Sequence, residues 1–172
     1  MKDLQSSIRD IPDFPTAGIL FKDITPLLRD PEAFQQAIDR IADQWTGKTI
    51  DVIVGIEARG FIFAAALAYK LGAGLVIVRK PGKLPYTTCS VTYELEYGTD
   101  TLEVHDDAIQ SGQTVLIVDD VLATGGTVKA VSDLLQDFDA KLLGAAFLAE
   151  LSFLNGRDKL TDFERITSLI AF

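Results

Sequence analysis

Two hydrophobic periods alternate along most of this 172-residue chain. Short continuous apolar runs at 52–56, 75–78, 115–118, 142–148 and 166–170 have the length and texture of strands covered on both faces. Between them lie segments of helical spacing. Phe34, Ala37, Ile38, Ile41 and Trp45 recur at three- and four-residue steps. Their start is marked by Asp30 as an N-cap, Pro31 in the first turn and Glu32 at the positive end of the dipole. Gly47 is placed to end that helix in left-handed geometry. Residues 59–71 (RGFIFAAALAYKL) are good helix formers closed by Gly72, and Val128, Val131, Leu134, Leu135 and Phe138 trace a third helix. Residues 90–95 and 101–105 alternate apolar and polar around Tyr97-Gly98-Thr99-Asp100, which predicts an antiparallel hairpin. Residues 1–29, rich in Pro, Asp and isolated apolar side chains, predict an irregular lobe.

Alternating β and α elements predict an α/β fold: a doubly wound, mainly parallel twisted sheet flanked by helices, with right-handed crossovers. Such sheets bind ligands beyond the carboxyl ends of their strands, which singles out the loops after Ile56, Val78 and Val118. No repeat or linker divides the chain, so residues 1–172 read as one domain. Composition narrows the partners. A net charge of -9 opposes a nucleic-acid surface, and no apolar run reaches the roughly 18 residues that span a bilayer. The opening residues lack the apolar core of an export signal, and the lone Cys89 suits a reducing cytoplasm.

Each of the three loops carries chemistry. After the strand 115–118 come Asp119 and Asp120, adjacent carboxylates that repel unless something shares them. A sugar diol supplies hydroxyl donors to both. Thr124-Gly125-Gly126-Thr127 then opens a helix, where glycine backbone wraps an anion and amide donors and hydroxyls converge on it. Together the two features describe a ribose 5-phosphate site, although a lone Asp-Asp before a glycine turn is ordinary turn chemistry. The spacing differs from the Walker loop and from Gly-x-Gly-x-x-Gly. In Gly55-Ile56-Glu57-Ala58-Arg59-Gly60-Phe61, Arg59 falls in a first helical turn, where a cation opposes the dipole unless an anion lies between them. Residues 79–89 gather Arg79, Lys80 and Lys83 among Pro81, Gly82 and Pro85, a positive patch on an acidic chain. That patch fits either a solvated loop or a lid that closes over an anion and excludes water. His105 lies on an alternating strand and reads as structural. Cys89 has no partner at catalytic spacing.

The string VLIVDDVLATGGT (115–127) resembles the signature of the type I phosphoribosyltransferases. The resemblance covers nearly the whole chain. DFPTAGILFKDITPLL, GIEARGF, RKPGKLPY and VTYELEYG are similar to the adenine-specific members of that family. It implies a hood at 1–29, a mobile lid and hairpin at 79–105, and transfer of a 5-phosphoribosyl group from 5-phosphoribosyl-1-pyrophosphate (PRPP) to N9 of adenine, giving AMP and pyrophosphate. By the same resemblance Asp119 and Asp120 hold the ribose hydroxyls, and Ala123, Thr124, Gly125, Gly126 and Thr127 hold the 5-phosphate. Glu57, Ala58, Arg59 and Gly60, with Arg79, Lys80 and Lys83, surround the pyrophosphate. Leu20, Phe21, Lys22 and Leu151 form the adenine site; the family often carries Arg at the position of Lys22. Glu96 carries the purine proton and Tyr97 folds in with the lid. Catalysis then rests on Arg59, Glu96, Asp119 and Asp120, with Mg2+ brought by PRPP and no metal ligand on the protein itself. A cis peptide between Glu57 and Ala58 and a homodimer are also implied, without nucleic-acid or membrane partners. The alternatives are the same donor with hypoxanthine, guanine, xanthine or orotate, and a PRPP-sensing regulator without catalysis.

Overall fold

The computed structural model describes residues 2–94 and 98–172. Its centre is a parallel sheet of five strands: β3 (Val52–Ile56), β4 (Gly74–Val78), β7 (Thr114–Leu122), β8 (Lys141–Glu150) and β9 (Ile166–Ala171), in the order β4-β3-β7-β8-β9. Helices α2 (Pro31–Gln44) and α3 (Gly60–Leu71) cover one face, and α4 (Gly126–Leu135) with the antiparallel hairpin β5 (Thr88–Glu94) and β6 (Thr99–His105) covers the other. The two-residue period of the strands divides the core accordingly. Ile53, Leu116 and Val118 join Trp45, Phe63 and Leu67 on the first face, while Val54, Val115 and Ile117 join Leu102, Val131 and Leu135 on the second. This is the doubly wound α/β architecture that the alternating pattern predicts.

Helix α2 begins as its sequence dictates. The Asp30 side chain accepts from the N–H groups of Glu32 and Ala33, and Pro31 takes the first turn. Helix α3 ends at Gly72, whose φ of 70° supplies the left-handed cap.

Four local expectations are corrected. Residues 1–29 are not irregular throughout: β1 (Arg9–Pro12) and β2 (Leu20–Asp23) form an antiparallel ribbon, followed by a short helix α1 (Thr25–Arg29). The ribbon lies on the surface with little apolar alternation, which hid it from the hydrophobic pattern. Strand β4 is not buried on both faces, because it is the edge strand; Gly74 and Leu75 are exposed and only Val78 is fully buried. Strand β7 runs four residues beyond Val118, because the ladder to β8 continues through Asp119–Phe147 and Val121–Ala149. Finally, Thr88 and Cys89 belong to β5, so the loop after β4 closes by residue 87.

Strand order reverses between β3 and β7. The chain leaves β3 toward β4 on one side, while β7 pairs on the other, so the segments following β3 and β7 diverge and open a crevice.

Candidate functional site

The crevice is built on backbone proximity. At the end of β3 the Glu57–Ala58 peptide is cis, as the resemblance implies. Gly60 then starts α3 directly against β7: a Cβ there would stand 2.7 Å from Asp119 Oδ1 and 3.1 Å from the Val118 carbonyl. Only glycine lets α3 and the Asp119–Asp120 pair approach this closely. Asp119 Oδ1 accepts from the Asp120 N–H at 2.8 Å. Asp120 is 5% exposed. Arg59 Nε lies 2.7 Å from Asp120 Oδ2, but off the N–H direction, so among the described residues this buried oxygen has no hydrogen-bond donor. Burial, and next the charge of Asp120, push the Asp119 carboxyl well above its ordinary range. Burial also raises Asp120, with Arg59 offsetting part of the shift.

Three recesses meet at this pair. The first follows β7 into α4 and is lined by Asp119, Ala123, Thr124, Gly125, Thr127 and Val128. Gly125 takes φ 78° as it enters α4, and its would-be Cβ falls on the Gly156 carbonyl, so residues 123–125 lie packed on the 156–159 turn. The second recess contains Glu57, Ala58, Arg59, Lys80, Tyr93, Asp100, Asp119, Asp120 and Thr127. The third is apolar and is lined by Ile19, Leu20, Phe21, Lys22, Arg59, Asp120, Val121, Ala123 and Leu151. Arg59 borders both the second and third recesses, with its guanidinium 4.8 Å from the centroid of the Phe21 ring.

Most of the expected site residues therefore share one crevice, and some are turned elsewhere. Arg79 pairs with Glu57, donating from Nε at 3.2 Å and Nη2 at 3.3 Å, and also donates to the Lys83 carbonyl. Glu57 Oε2 accepts the Lys80 N–H at 2.8 Å, and this bond, followed by Arg79, holds the Glu57 carboxyl below its ordinary range. Glu57 thus anchors the loop after β4. Lys83 is exposed and does not line the second recess. The Lys22 ammonium points to Asp10 Oδ1 at 2.7 Å and lies 4.0 Å from the Phe172 ring centroid. Glu96 and Tyr97 lie outside the described residues. His105 accepts a long hydrogen bond, 3.4 Å, from the Tyr86 N–H, and Cys89 is a half-buried free thiol.

Tyr93, Asp100 and Val121 also line the crevice, although the sequence assigns none of them a role of its own. Tyr93 and Asp100 read as unremarkable hairpin residues, and Val121 as the continuation of an apolar run. Only the pairing of β5 with β6, which sets Tyr93 opposite Asp100, brings the first two together.

A glycine-opened helix start, an adjacent carboxylate pair and an apolar recess lie together at the strand-order reversal of a doubly wound sheet, the place where proteins of this class bind ligands. Residues 27–164 match the model of the phosphoribosyl transferase domain, and the chain belongs to that family. Its relatives place it within the family. It is 60% identical to an adenine phosphoribosyltransferase of Geotalea daltonii, with both chains covered completely. The crystal structure of adenine phosphoribosyltransferase from Thermoanaerobacter pseudethanolicus superposes with a TM-score of 0.95 at 54% identity, covering 98% of each chain. That of the Saccharomyces cerevisiae enzyme, in complex with D-2,5-dideoxy-2,5-imino-altritol 1,6-bisphosphate and adenine, gives a TM-score of 0.90 at 44% identity and covers 96% of each.

Proposed function

We propose that this chain transfers the 5-phosphoribosyl group of PRPP to N9 of adenine, giving AMP and pyrophosphate. The observation that carries this reading is the junction itself. An anion-binding loop, a cation-bearing recess and an apolar recess all open onto one carboxylate pair, half-buried Asp119 and buried Asp120. PRPP has the matching parts in the matching order: 5-phosphate, ribose diol and pyrophosphate, with the acceptor base on the remaining side.

Asp119 and Asp120 accept hydrogen bonds from the ribose 2- and 3-hydroxyls. Asp120 Oδ2, buried and without a donor, is the atom a sugar hydroxyl satisfies. The 5-phosphate sits on the N–H groups and hydroxyls of residues 123–127 at the start of α4. The C1–O bond to pyrophosphate lengthens first, and its electron pair leaves with the pyrophosphate. Arg59 and Lys80 offset the departing charge, and the buried carboxylates favour the cationic ribose. Magnesium enters as part of the PRPP substrate and supplies further charge to the diphosphate. Adenine, held between Leu20 and Leu151 with Phe21 and the backbone near Lys22 at its edge, attacks C1 through N9 from the opposite face and inverts it. N9 loses its proton to Glu96, while Tyr97 and the 79–105 segment close over the recess as a lid and residues 1–29 form the hood.

We propose a homodimer on the family resemblance; Ile62 and Tyr69 on α3 and Leu75 on β4 are exposed apolar side chains that a second copy would cover. A cytoplasmic setting fits the free Cys89 thiol.

The deciding experiment supplies PRPP with adenine, hypoxanthine, guanine, xanthine and orotate in turn and follows nucleotide formation. AMP from adenine is expected to dominate. Faster nucleotide formation from another base overturns the choice of acceptor, and PRPP binding without any base consumption overturns the transferase.

A further inference from the structure

Of the four cations expected around the leaving group, three are already held by a carboxylate. Arg59 lies against Asp120, Arg79 is paired with Glu57, and Lys80 donates to Asp100 Oδ2. Two of these carboxylates have other work: Asp120 faces the ribose position, and Glu57 holds the Lys80 N–H and so anchors the loop. Asp100 has none. It stands on β6 inside the same recess, and among the described residues its carboxylate meets only Lys80 Nζ, the Tyr93 hydroxyl at 3.3 Å and its neighbouring Thr101 N–H at 2.9 Å.

Partial burial alone would raise the Asp100 pKa. Lys80, Thr101 and Tyr93 outweigh that effect and hold it below the ordinary carboxylate value, so Asp100 is charged at neutral pH. Tyr93 is shifted upward, first by burial, and keeps its hydrogen. Its hydroxyl also lies 3.2 Å from Thr127 Oγ1 in the 5-phosphate loop. Asp100 is therefore tied through the Tyr93 hydroxyl to the phosphate-binding loop on one side and presents its charge to Lys80 on the other.

We propose that Asp100 is an internal stand-in for pyrophosphate, holding the Lys80 ammonium whenever no diphosphate is bound and competing with the leaving group for it. The inference rests on the transferase reading above and names Asp100 as a positioning residue for that reaction. Lys80 is oriented toward the recess before the donor binds. Once the bond to C1 has broken, Asp100 takes the ammonium back and eases pyrophosphate out. The exchange is available because both side chains keep access to solvent, 44% exposed for Lys80 and 23% for Asp100. A pair of that exposure is held weakly enough to be displaced.

The test measures the Kd of magnesium pyrophosphate by calorimetry on four full-length proteins: the unmodified chain, Asp100→Asn, Lys80→Met and the double variant. Asp100→Asn is expected to tighten binding about three- to five-fold, the range of one partly exposed ion pair. In the Lys80→Met background the same change is expected to leave Kd unaltered. Equal tightening in both backgrounds overturns the proposal, since it marks simple repulsion between Asp100 and the ligand. Unchanged or weaker binding in Asp100→Asn, with its melting temperature preserved, also overturns it. If that variant folds poorly, Asp100→Ala replaces it with the same expected sign. Failure of the transferase reading is seen separately, as an unmodified chain that neither binds pyrophosphate nor forms AMP.

Discussion

Strand β7 and the hairpin β5–β6 line the same recess, yet they hold their functional groups by different means. Strand β7 lies in the middle of a five-stranded sheet, and Val115 to Val118 are fully buried. Its carboxylates are fixed by the backbone that carries them and by the close approach of Gly60. The hairpin has two strands, and along β5 exposed positions alternate with half-buried ones. It is seated by Leu102 and Val104, while its polar groups are positioned by ion pairs and hydroxyl contacts. A two-stranded unit of this kind is marginal alone, and exposed ion pairs contribute little each. The sheet end therefore suits parts of a substrate that do not move during reaction, the ribose and its 5-phosphate. The hairpin suits the part that must arrive and leave.

The strongest way to break this comparison is Asp119→Asn. A hydrogen bond to a charged group contributes about 1.5–3 kcal/mol, so turnover is expected to fall about 10- to 150-fold. Stability is expected to move the other way. Burial and the charge of Asp120 hold the folded pKa of Asp119 above its ordinary value of 3.8, so the carboxylate is harder to ionise in the folded state than in the unfolded one. The resulting penalty is absent below the unfolded pKa, grows as pH rises through the folded pKa and is constant above it. Asp119→Asn should accordingly melt higher than the unmodified chain at pH 7, with the gain fading as pH falls toward 3.8. Chemical denaturation across pH, beside kcat, checks both halves. Unchanged turnover would remove the diol assignment, and a loss of stability at pH 7 would remove the electrostatic account of the pair.

The same contrast explains what the sequence discloses. Asp30, Pro31 and Gly72 mark helix ends by local chemistry, and the run 115–118 marks a buried strand by composition, so the sheet and its helices are legible. The signature 115–127 is contiguous because one strand-to-helix connection carries both the carboxylates and the loop to which the proposed diol and phosphate contacts are assigned. The remainder depends on contacts far apart in the chain. Lys80 and Asp100 are separated by 20 positions, Arg79 and Glu57 by 22, and charge alone does not say which cation meets which carboxylate. The extension of β7 through Asp119 and Asp120 is hidden for a similar reason. Charged residues end an apolar run, while the ladder that keeps them in the strand is supplied by β8.

The apolar recess allows a sharper version of the comparison, since it combines both kinds of support. Leu151 stands on the sheet side, its N–H bonded to the Leu122 carbonyl at 2.9 Å, whereas Leu20 lies on the surface ribbon and is 48% exposed. Leu151→Ala removes half-buried apolar area that adenine would cover, a loss of about 1.4 kcal/mol and hence roughly ten-fold in the KM for adenine. The KM for PRPP should stay within about two-fold. Steady-state kinetics with each substrate varied in turn checks this, and an equal rise in both constants would place Leu151 in the structure of the loop and not against the base.

The smallest expected effect falls on Lys22, and its smallness is informative. The residue lies in the ribbon beside Leu20 and Phe21 and borders the apolar recess, so its position alone suggests contact with the base. Its charge is committed elsewhere. The ammonium bonds Asp10 across the ribbon and lies over the ring of Phe172, leaving the side chain 10% exposed. Lys22→Ala is therefore expected to cost about 1 kcal/mol of stability, the sum of one weak ion pair and one cation–π contact, read as a lower melting temperature. Adenine KM should shift by less than about two-fold, because in the proposed reading it is the backbone at this position, which the substitution keeps, that faces the base edge. A ten-fold rise in adenine KM with the melting temperature unchanged would reverse the assignment. Lys22 would then leave Asp10 when adenine binds, and the hood would hold its ligand by the same exchange of partners as the hairpin.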